Sequence, residues 1–180
     1  MYKKTFIVFL TILLSGCFAK KKTTYSKNRT ITVASSEEAV KIEKKREPKT
    51  DENPIAEEVI ESALKFTGVR YRFGGTTKKG MDCSGLVYVA LKENDIPFPR
   101  ISHQMANEGK KVRVSEVQKG DLLFFKTHKR GKNINHVGLI VEVDGDEIKF
   151  IHSTTSRGVI VSSLREGYWN SAFVKATRIL

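Results

Sequence analysis

The chain has 180 residues, of which 39% are hydrophobic, enough for one packed domain with extra segments but too few for two full-sized domains. Residues 1–50 hold 12 Lys and Arg against 4 Asp and Glu (net +8), which leaves 20 against 16 (net +4) for residues 51–180. Because the basic character lies mostly in the front segment, the charge disfavours a nucleic-acid-binding fold. Two cysteines, Cys17 and Cys83, exclude a disulfide-rich secreted scaffold.

The beginning of the chain is typical of an export signal. Lys3 and Lys4 precede an apolar run at residues 6–14, which is shorter than the roughly 20 residues of a membrane-spanning helix. The following Leu14-Ser15-Gly16-Cys17 resembles the lipobox of bacterial lipoproteins, in which the chain is cut before the cysteine and the thiol is lipidated. The alternative is an ordinary secretory peptide with a chance cysteine.

The lipobox resemblance implies a signal peptide at residues 1–16 and a membrane anchor on Cys17. Phe18 stands where an aspartate often acts as an inner-membrane retention signal, so the anchor is expected in the outer membrane, facing the periplasm, if the bacterium has two membranes. Residues 17–52 are rich in Lys, Thr, Ser and Glu, a composition that predicts a flexible linker. The folded domain is predicted at residues 53–180.

The first predicted elements of this domain are helices. Asn53-Pro54 predicts the capped start of an amphipathic helix that ends before Gly68. A mostly buried helix follows at 83–94, and a short one near 102–108. After Gly120 the pattern predicts strands at 121–126, 136–143, 147–151, 159–162 and 174–179. Helices followed by strands favour an α+β domain with a largely antiparallel sheet.

Cys83 is the candidate nucleophile. Asp82-Cys83-Ser84-Gly85 opens the second predicted helix, where unpaired backbone N–H groups and the helix dipole favour a thiolate. The alternative is a buried structural thiol, since free cysteine is among the most buried residue types.

Two histidines are candidates for the base that a thiol nucleophile needs. His136 begins one predicted strand and His152 follows the next, so an antiparallel pairing through the turn at 144–146 places both at one sheet edge. One imidazole then takes the proton from sulfur while the other fixes its tautomer. The alternative for each is an ordinary hydrogen-bonded strand residue. His128 is predicted to be solvated in a Lys- and Arg-rich loop, and His103 ranks below the pair.

A family resemblance covers about residues 55–180. The segments that carry it are Tyr71-Arg72-Phe73-Gly74-Gly75, Asp82-Cys83-Ser84-Gly85, Pro99-Arg100-Ile101-Ser102-His103-Gln104, Gly120-Asp121-Leu122-Leu123-Phe124-Phe125, His136-Val137-Gly138 and Phe150-Ile151-His152. In this order and spacing they resemble the NlpC-type cell-wall cysteine peptidases. The resemblance implies a papain-like α+β fold, and cleavage of amide bonds in the peptide stems of peptidoglycan without a metal or cofactor.

The resemblance also implies roles for single residues. Cys83 would be the nucleophile, His136 the general base and acid, and His152 the residue that orients His136. Tyr71 would lie near the oxyanion or the substrate, beside the backbone N–H of Cys83. The residues expected to line or support the cleft are Asp82, Ser84, Arg100, Ser102 and Gln104, although the last three could equally form a capped helix entry. Tyr168-Trp169 and residues 176–180 are expected in the core and the final strand.

Three other functions compete with this hypothesis. A catalytically silent lipoprotein could bind wall polymer or a partner through the same cleft. An amidase or acyltransferase could use the same residues on a different amide or ester. A zinc site from Cys83, His136 and His152 is disfavoured because no closely spaced ligand pair is present. Family members cleave between D-glutamate and the diamino acid or at the cross-link after it, and the sequence does not distinguish these bonds.

Overall fold

The structure is a computed structural model that describes residues 53–128 and 133–180. The signal peptide at 1–16, the lipidated Cys17 and the linker at 17–52 lie outside the described residues and stay predictions. Within the described part of the chain, no helix is both long enough and apolar enough to cross a membrane.

Four helices and eight strands make up the domain in the described ranges. In chain order they are α1 (Pro54–Leu64), β1 (Thr76–Thr77), β2 (Gly80–Met81), α2 (Cys83–Lys92), α3 (Ser102–Met105), β3 (Lys110–Val112), a 3₁₀ turn (Val114–Glu116), β4 (Leu122–Phe125), β5 (His136–Asp144), β6 (Glu147–Thr154), β7 (Gly158–Ser163), α4 (Gly167–Ala172) and β8 (Phe173–Arg178). The three predicted helices and five predicted strands are all present, with shifted ends.

The main sheet has six strands in the order β3-β8-β4-β5-β6-β7, and every neighbouring pair is antiparallel. This confirms the predicted α+β class with a largely antiparallel sheet. One boundary was wrong: β6 continues to Thr154, so His152 lies inside the strand and not after its end.

Local sequence explains where the two long helices begin. The side chain of Asn53 accepts a hydrogen bond from the backbone N–H of Ile55 at 3.1 Å, and Pro54 takes the first helical position, where no N–H is needed. Asp82 does the same for α2, accepting from the N–H of Gly85 at 2.6 Å. The second cap matters for function because it fixes the orientation of the helix end at which Cys83 lies.

The sheet is buried on both faces. Along β4, Leu122 and Phe124 pack into the core shared with α1 and α2, whereas Leu123 and Phe125 pack into a second core on the opposite face. Trp169 on α4 belongs to the second core, as expected, but the neighbouring Tyr168 is exposed, which corrects its expected place in the core. Helix α4 itself was not predicted.

Candidate active site

Cys83 is the first residue of α2, and its side chain is buried with 7% of its surface exposed. Burial raises the pKa of its thiol to about 11, an effect larger than the opposing one of the backbone N–H groups of Val137, Ser84 and Cys83 itself. The nearby Asp82 also raises this pKa. The direction of this shift is opposite to the one expected from the helix end alone, because desolvation of the charged sulfur outweighs the favourable N–H groups.

His136 and His152 meet across two neighbouring strands. Nε2 of His136 lies 2.9 Å from Nδ1 of His152, and Nε2 of His152 lies 3.0 Å from Oγ of Ser162. The sequence predicts the two histidines at one sheet edge. The register pairs Leu139 with Ile151, so the histidines lie on neighbouring strands but diagonal to one another and not directly opposite. Because the contact occupies Nε2 of His136, its Nδ1 is the ring nitrogen that is left for the cleft.

Both imidazoles are kept neutral. Burial lowers the pKa of His136 to about 4, although Asp82 opposes the shift. Burial, followed by the charges of His136 and Arg157, lowers the pKa of His152 to about 2. Together with the protonated thiol, these values describe a resting site in which the thiol and both imidazoles are uncharged near neutral pH.

An aromatic cluster in the second core explains why His136 and His152 are shielded from water. The indole of Trp169 stacks on His136 with ring centres 5.1 Å apart, and it meets His152 edge-on at 4.5 Å. Phe150 covers His152 at 4.7 Å and Phe125 approaches His136 at 5.9 Å. These rings exclude water from the contact between the two histidines, which strengthens that hydrogen bond and disfavours a positive charge on either ring.

A second polar network holds the start of α2. Oδ2 of Asp82 accepts hydrogen bonds from the backbone N–H of Gly74 at 2.7 Å and from Arg100 at 3.0 Å, while Oδ1 caps the helix. Arg100 also donates to Oγ of Ser84 at 2.8 Å and to the carbonyl of Gly75 at 3.2 Å. Asp82, Ser84 and Arg100 therefore lie behind the nucleophile and tie the loop at 71–75 to the helix.

The site opens into a cleft of about 490 Å³. Tyr71, Cys83 and His136 face it together, as the sequence predicts. Of the other predicted cleft residues, Ser102 is buried at the start of α3 and Gln104 is exposed on it, and neither of these described residues lines the cleft. Their part in substrate binding stays a prediction.

No group of three His, Cys, Asp or Glu side chains is placed to hold a metal ion within residues 53–128 and 133–180. One ring nitrogen of His136 and one of His152 are instead in a hydrogen bond with each other.

The comparison with known proteins agrees with this arrangement. Residues 68–178 match the NlpC/P60 family, which covers more than half of the chain. The chain belongs to the NlpC/P60 family. The resemblance found in the six sequence segments is thereby confirmed, whereas lipidation of Cys17 is outside the matched range.

Two curated relatives and one crystal structure show how far the likeness of this NlpC/P60 chain extends. The chain is 32% identical over 175 residues to the murein DD-endopeptidase MepS/murein LD-carboxypeptidase of Escherichia coli strain K12, covering 96% of this chain and 89% of the relative. It is 42% identical over 113 residues to the probable endopeptidase NlpC of the same strain, covering 62% and 70%. An NlpC/P60 family protein from Bacillus cereus superposes with a TM-score of 0.62 at 33% identity. That match covers 68% of this chain and 39% of the other.

The structure adds cleft residues of this NlpC/P60 domain that the sequence did not reveal. They come from the β4–β5 loop, the end of β6, the β6–β7 turn and the start of α4 with its N-cap, namely Thr127, His128, Asn135, Ser153, Thr154, Thr155, Ser156, Arg157, Glu166, Tyr168 and Trp169. His128 is exposed as expected, yet it forms part of the cleft wall, with its Nδ1 2.9 Å from Nδ2 of Asn135. Short polar runs such as Ser153-Thr154-Thr155-Ser156 carry no local signal for a cleft, so only the fold reveals them.

Proposed function

We propose that the chain is a peptidoglycan endopeptidase that hydrolyses an amide bond in stem peptides or their cross-links, with Cys83 as the nucleophile. One observation carries the proposal: Cys83 and His136 face the same cleft, while the far nitrogen of His136 is held 2.9 Å from His152. This is the arrangement that nucleophilic catalysis by a thiol requires, with a base beside it and a third group to orient the base. Membership of the NlpC/P60 family supports the same chemistry.

The neutral resting site sets the order of proton transfers. With the pKa of Cys83 near 11 and that of His136 near 4, the thiol keeps its proton until a carbonyl carbon is within reach. As sulfur forms its bond to that carbon, Nδ1 of His136 takes the thiol proton, and the imidazolium then donates it to the departing amine. A water molecule, deprotonated by His136, hydrolyses the thioester and restores the thiol.

Tyr71 is placed to stabilise the oxyanion that forms during both steps. Burial, and then the charges of Cys83 and Asp82, raise the pKa of its phenol, so Tyr71 stays protonated and able to donate a hydrogen bond. The backbone N–H of Cys83, at the start of α2, supplies a second donor. A hydroxyl and a backbone N–H together would give an oxyanion hole of the usual composition.

The D,D cross-link is the first bond to test, because the relative that covers 96% of this chain is named a murein DD-endopeptidase and LD-carboxypeptidase. The test incubates the full chain with purified peptidoglycan and identifies the released fragments by mass spectrometry. Loss of cross-linked dimers supports the D,D bond, and fragments that end in D-glutamate support the bond before the diamino acid.

The matched variant is Cys83→Ala, which removes only the sulfur and should retain the fold and the cleft. We expect release to fall by at least about 10³-fold, as is found when a catalytic nucleophile is removed. Unchanged release by this variant would reject the nucleophile. Binding without fragments from the wild type would favour the silent binding lipoprotein, and a fragment joined to an added amine or alcohol would favour an acyltransferase.

We also propose that Cys17 is lipidated and holds the domain in the cell envelope, at the outer membrane facing the periplasm if the bacterium has two membranes. The lipobox-like Leu14-Ser15-Gly16-Cys17 supports this proposal. Radioactive palmitate should label the wild type in cells and should not label Cys17→Ala. Labelling of both proteins, or of neither, would contradict it.

A further inference from the structure

We propose that Ser162 is a positioning residue of the site: its hydroxyl accepts a hydrogen bond from Nε2–H of His152 and so selects the tautomer of His152 that holds His136 as a base. The effect on catalysis rests on the proposed function, whereas the tautomer itself can be measured without any substrate.

The side chains of His136, His152 and Ser162 form one hydrogen-bonded row across three neighbouring strands, β5, β6 and β7. His152 on β6 is fully buried, and Ser162 on β7 is 4% exposed. In the β6–β7 register His152 pairs with Ile160 and Phe150 pairs with Ser162, so the serine lies diagonal to the histidine on the same face. Oγ of Ser162 is 3.0 Å from Nε2 of His152, whose Nδ1 in turn is 2.9 Å from Nε2 of His136.

The direction of this row follows from what His136 has to do. Nδ1 of His136 must be free of a proton to accept one from the thiol, so the single proton of the neutral ring belongs on Nε2. Nε2–H can donate only if Nδ1 of His152 is an acceptor. A neutral His152 then carries its own proton on Nε2, and that N–H points at Ser162.

The opposite direction would disable the base. If Nδ1 of His152 carried the proton, it would donate to Nε2 of His136, and the proton of His136 would move to Nδ1, facing the cleft. A doubly protonated His152 is disfavoured, because burial, the charge of His136 and that of Arg157 all lower its pKa. The neutral ring therefore adopts one tautomer or the other. The Nε2–H of the productive tautomer is buried and needs an acceptor, and the hydroxyl of Ser162 is the group that the structure places there.

The first test is a direct measurement of the tautomers. The full chain is labelled with ¹⁵N-histidine, and the imidazole nitrogens are assigned by NMR, with Ser162→Ala and Ser62→Ala as a matched pair. Ser62 is also a buried serine in a side-chain hydrogen bond, to Asn94 at 3.2 Å, but it lies on α1, away from the site. We expect Nε2–H on His152 in the wild type and in Ser62→Ala, and a mixture of tautomers or Nδ1–H in Ser162→Ala. A wild-type His152 protonated at Nδ1, or an unchanged tautomer in Ser162→Ala, would overturn the proposal.

The second test measures release of peptidoglycan fragments. Ser162→Ala should lose roughly tenfold to a hundredfold in kcat/KM, less than the ~10⁴-fold loss when a triad histidine is held in the wrong tautomer outright. Ser162→Thr keeps the acceptor oxygen and should recover most of the activity, provided that its melting temperature shows a folded protein. A folded Ser162→Thr as impaired as Ser162→Ala would count against the acceptor role.

Two further outcomes are distinguishable. If Ser162→Ala does not fold, Ser162→Cys replaces it, because sulfur is a weak acceptor of similar size and should give the same shift of tautomer. If the tautomers behave as expected but the wild type releases no fragments, the inference about Ser162 stands and the proposed endopeptidase activity fails.

Discussion

Two polar networks flank Cys83, and they differ in charge: one is neutral and the other contains an ion pair. On the sheet side, His136, His152 and Ser162 form a neutral row that aromatic rings keep dry. On the helix side, Asp82 and Arg100 form an ion pair at 2.9 Å that also gathers backbone groups of the neighbouring loop. The comparison separates two tasks, because the neutral row leaves His136 free to accept a proton at Nδ1, whereas the charged network holds the start of α2 in place.

The difference also explains the protonation of the site. An anionic group beside His136 would raise the pKa of its imidazole, whereas the neutral row leaves burial to keep the ring unprotonated and able to accept a proton. A neutral helix end, in turn, would leave the buried carboxylate of Asp82 without a cation, which is costly in a buried position. Each network is therefore suited to its own side of the nucleophile. The two networks lead to different predictions for the stability of the chain.

The largest expected effect is a loss of stability in acid that comes from the neutral row. The pKa values of His136 and His152 are about 4 and about 2 in the folded chain, against 6.5 when unfolded, so the unfolded chain binds more protons as the pH falls below about 6.5. The free energy of unfolding should drop by about 3–4 kcal/mol for the two groups between pH 7 and pH 5, and further below that. Urea unfolding at the two pH values measures the drop.

Variants of the two networks sharpen this measurement. His136→Gln should remove about half of the drop, since only His152 then titrates. Arg100→Ala, which leaves both histidines in place, should retain it. An equal drop in the wild type and His136→Gln would mean that His136 is not held in its neutral form by burial.

Part of the fold that carries the two networks could be predicted from the sequence. Asn53-Pro54 and the alternating apolar residues after Gly120 are local signals, and the helix and strands that they predict are present. The strand β3 was missed because Lys110-Lys111 does not resemble a strand. Its extended conformation comes from pairing with β8. Helix α4 was missed because it begins at Gly167, a residue that rarely favours a helix.

The candidate site divides in the same way. Cys83, His136 and His152 were found from their predicted positions at element ends, which was wrong for His152, and from the family resemblance, and the structure brings them together. The protonation of Cys83 was not found, because polar neighbours in sequence gave no sign of how deeply the fold buries the sulfur. Trp169 and Ser162 act on the histidines through tertiary contacts, which no local pattern records.

The second prediction concerns the charged network. Arg100→Ala leaves the side chain of Asp82, which is 9% exposed, without its cation and removes two other hydrogen bonds, to Ser84 and to the carbonyl of Gly75. The free energy of unfolding should fall by about 2–4 kcal/mol, somewhat under the full cost of breaking a deeply buried pair because Arg100 is partly solvated. Arg113→Ala, which breaks the exposed ion pair with Glu116, is the matched control and should stay close to the wild type. Similar melting temperatures for the two variants would contradict the structural role given to Asp82 and Arg100.

The smallest expected effect has the opposite sign and concerns a hydroxyl that belongs to neither network. Among the described residues, Oγ1 of Thr177 on β8 is the buried side-chain polar atom without a hydrogen-bond partner. Thr177→Val removes that hydroxyl with little change of shape, so the free energy of unfolding should rise by about 0.5–1 kcal/mol.

Ser162→Ala makes the useful contrast with Thr177→Val, because it removes a buried hydroxyl that does have a partner. It should lower the melting temperature, whereas Thr177→Val should raise it by a few degrees. If both substitutions destabilise the chain, the hydroxyl of Thr177 has a partner, such as an internal water molecule. If both stabilise it, the contact between Ser162 and His152 contributes nothing to folding, and its value lies only in the tautomer that it selects.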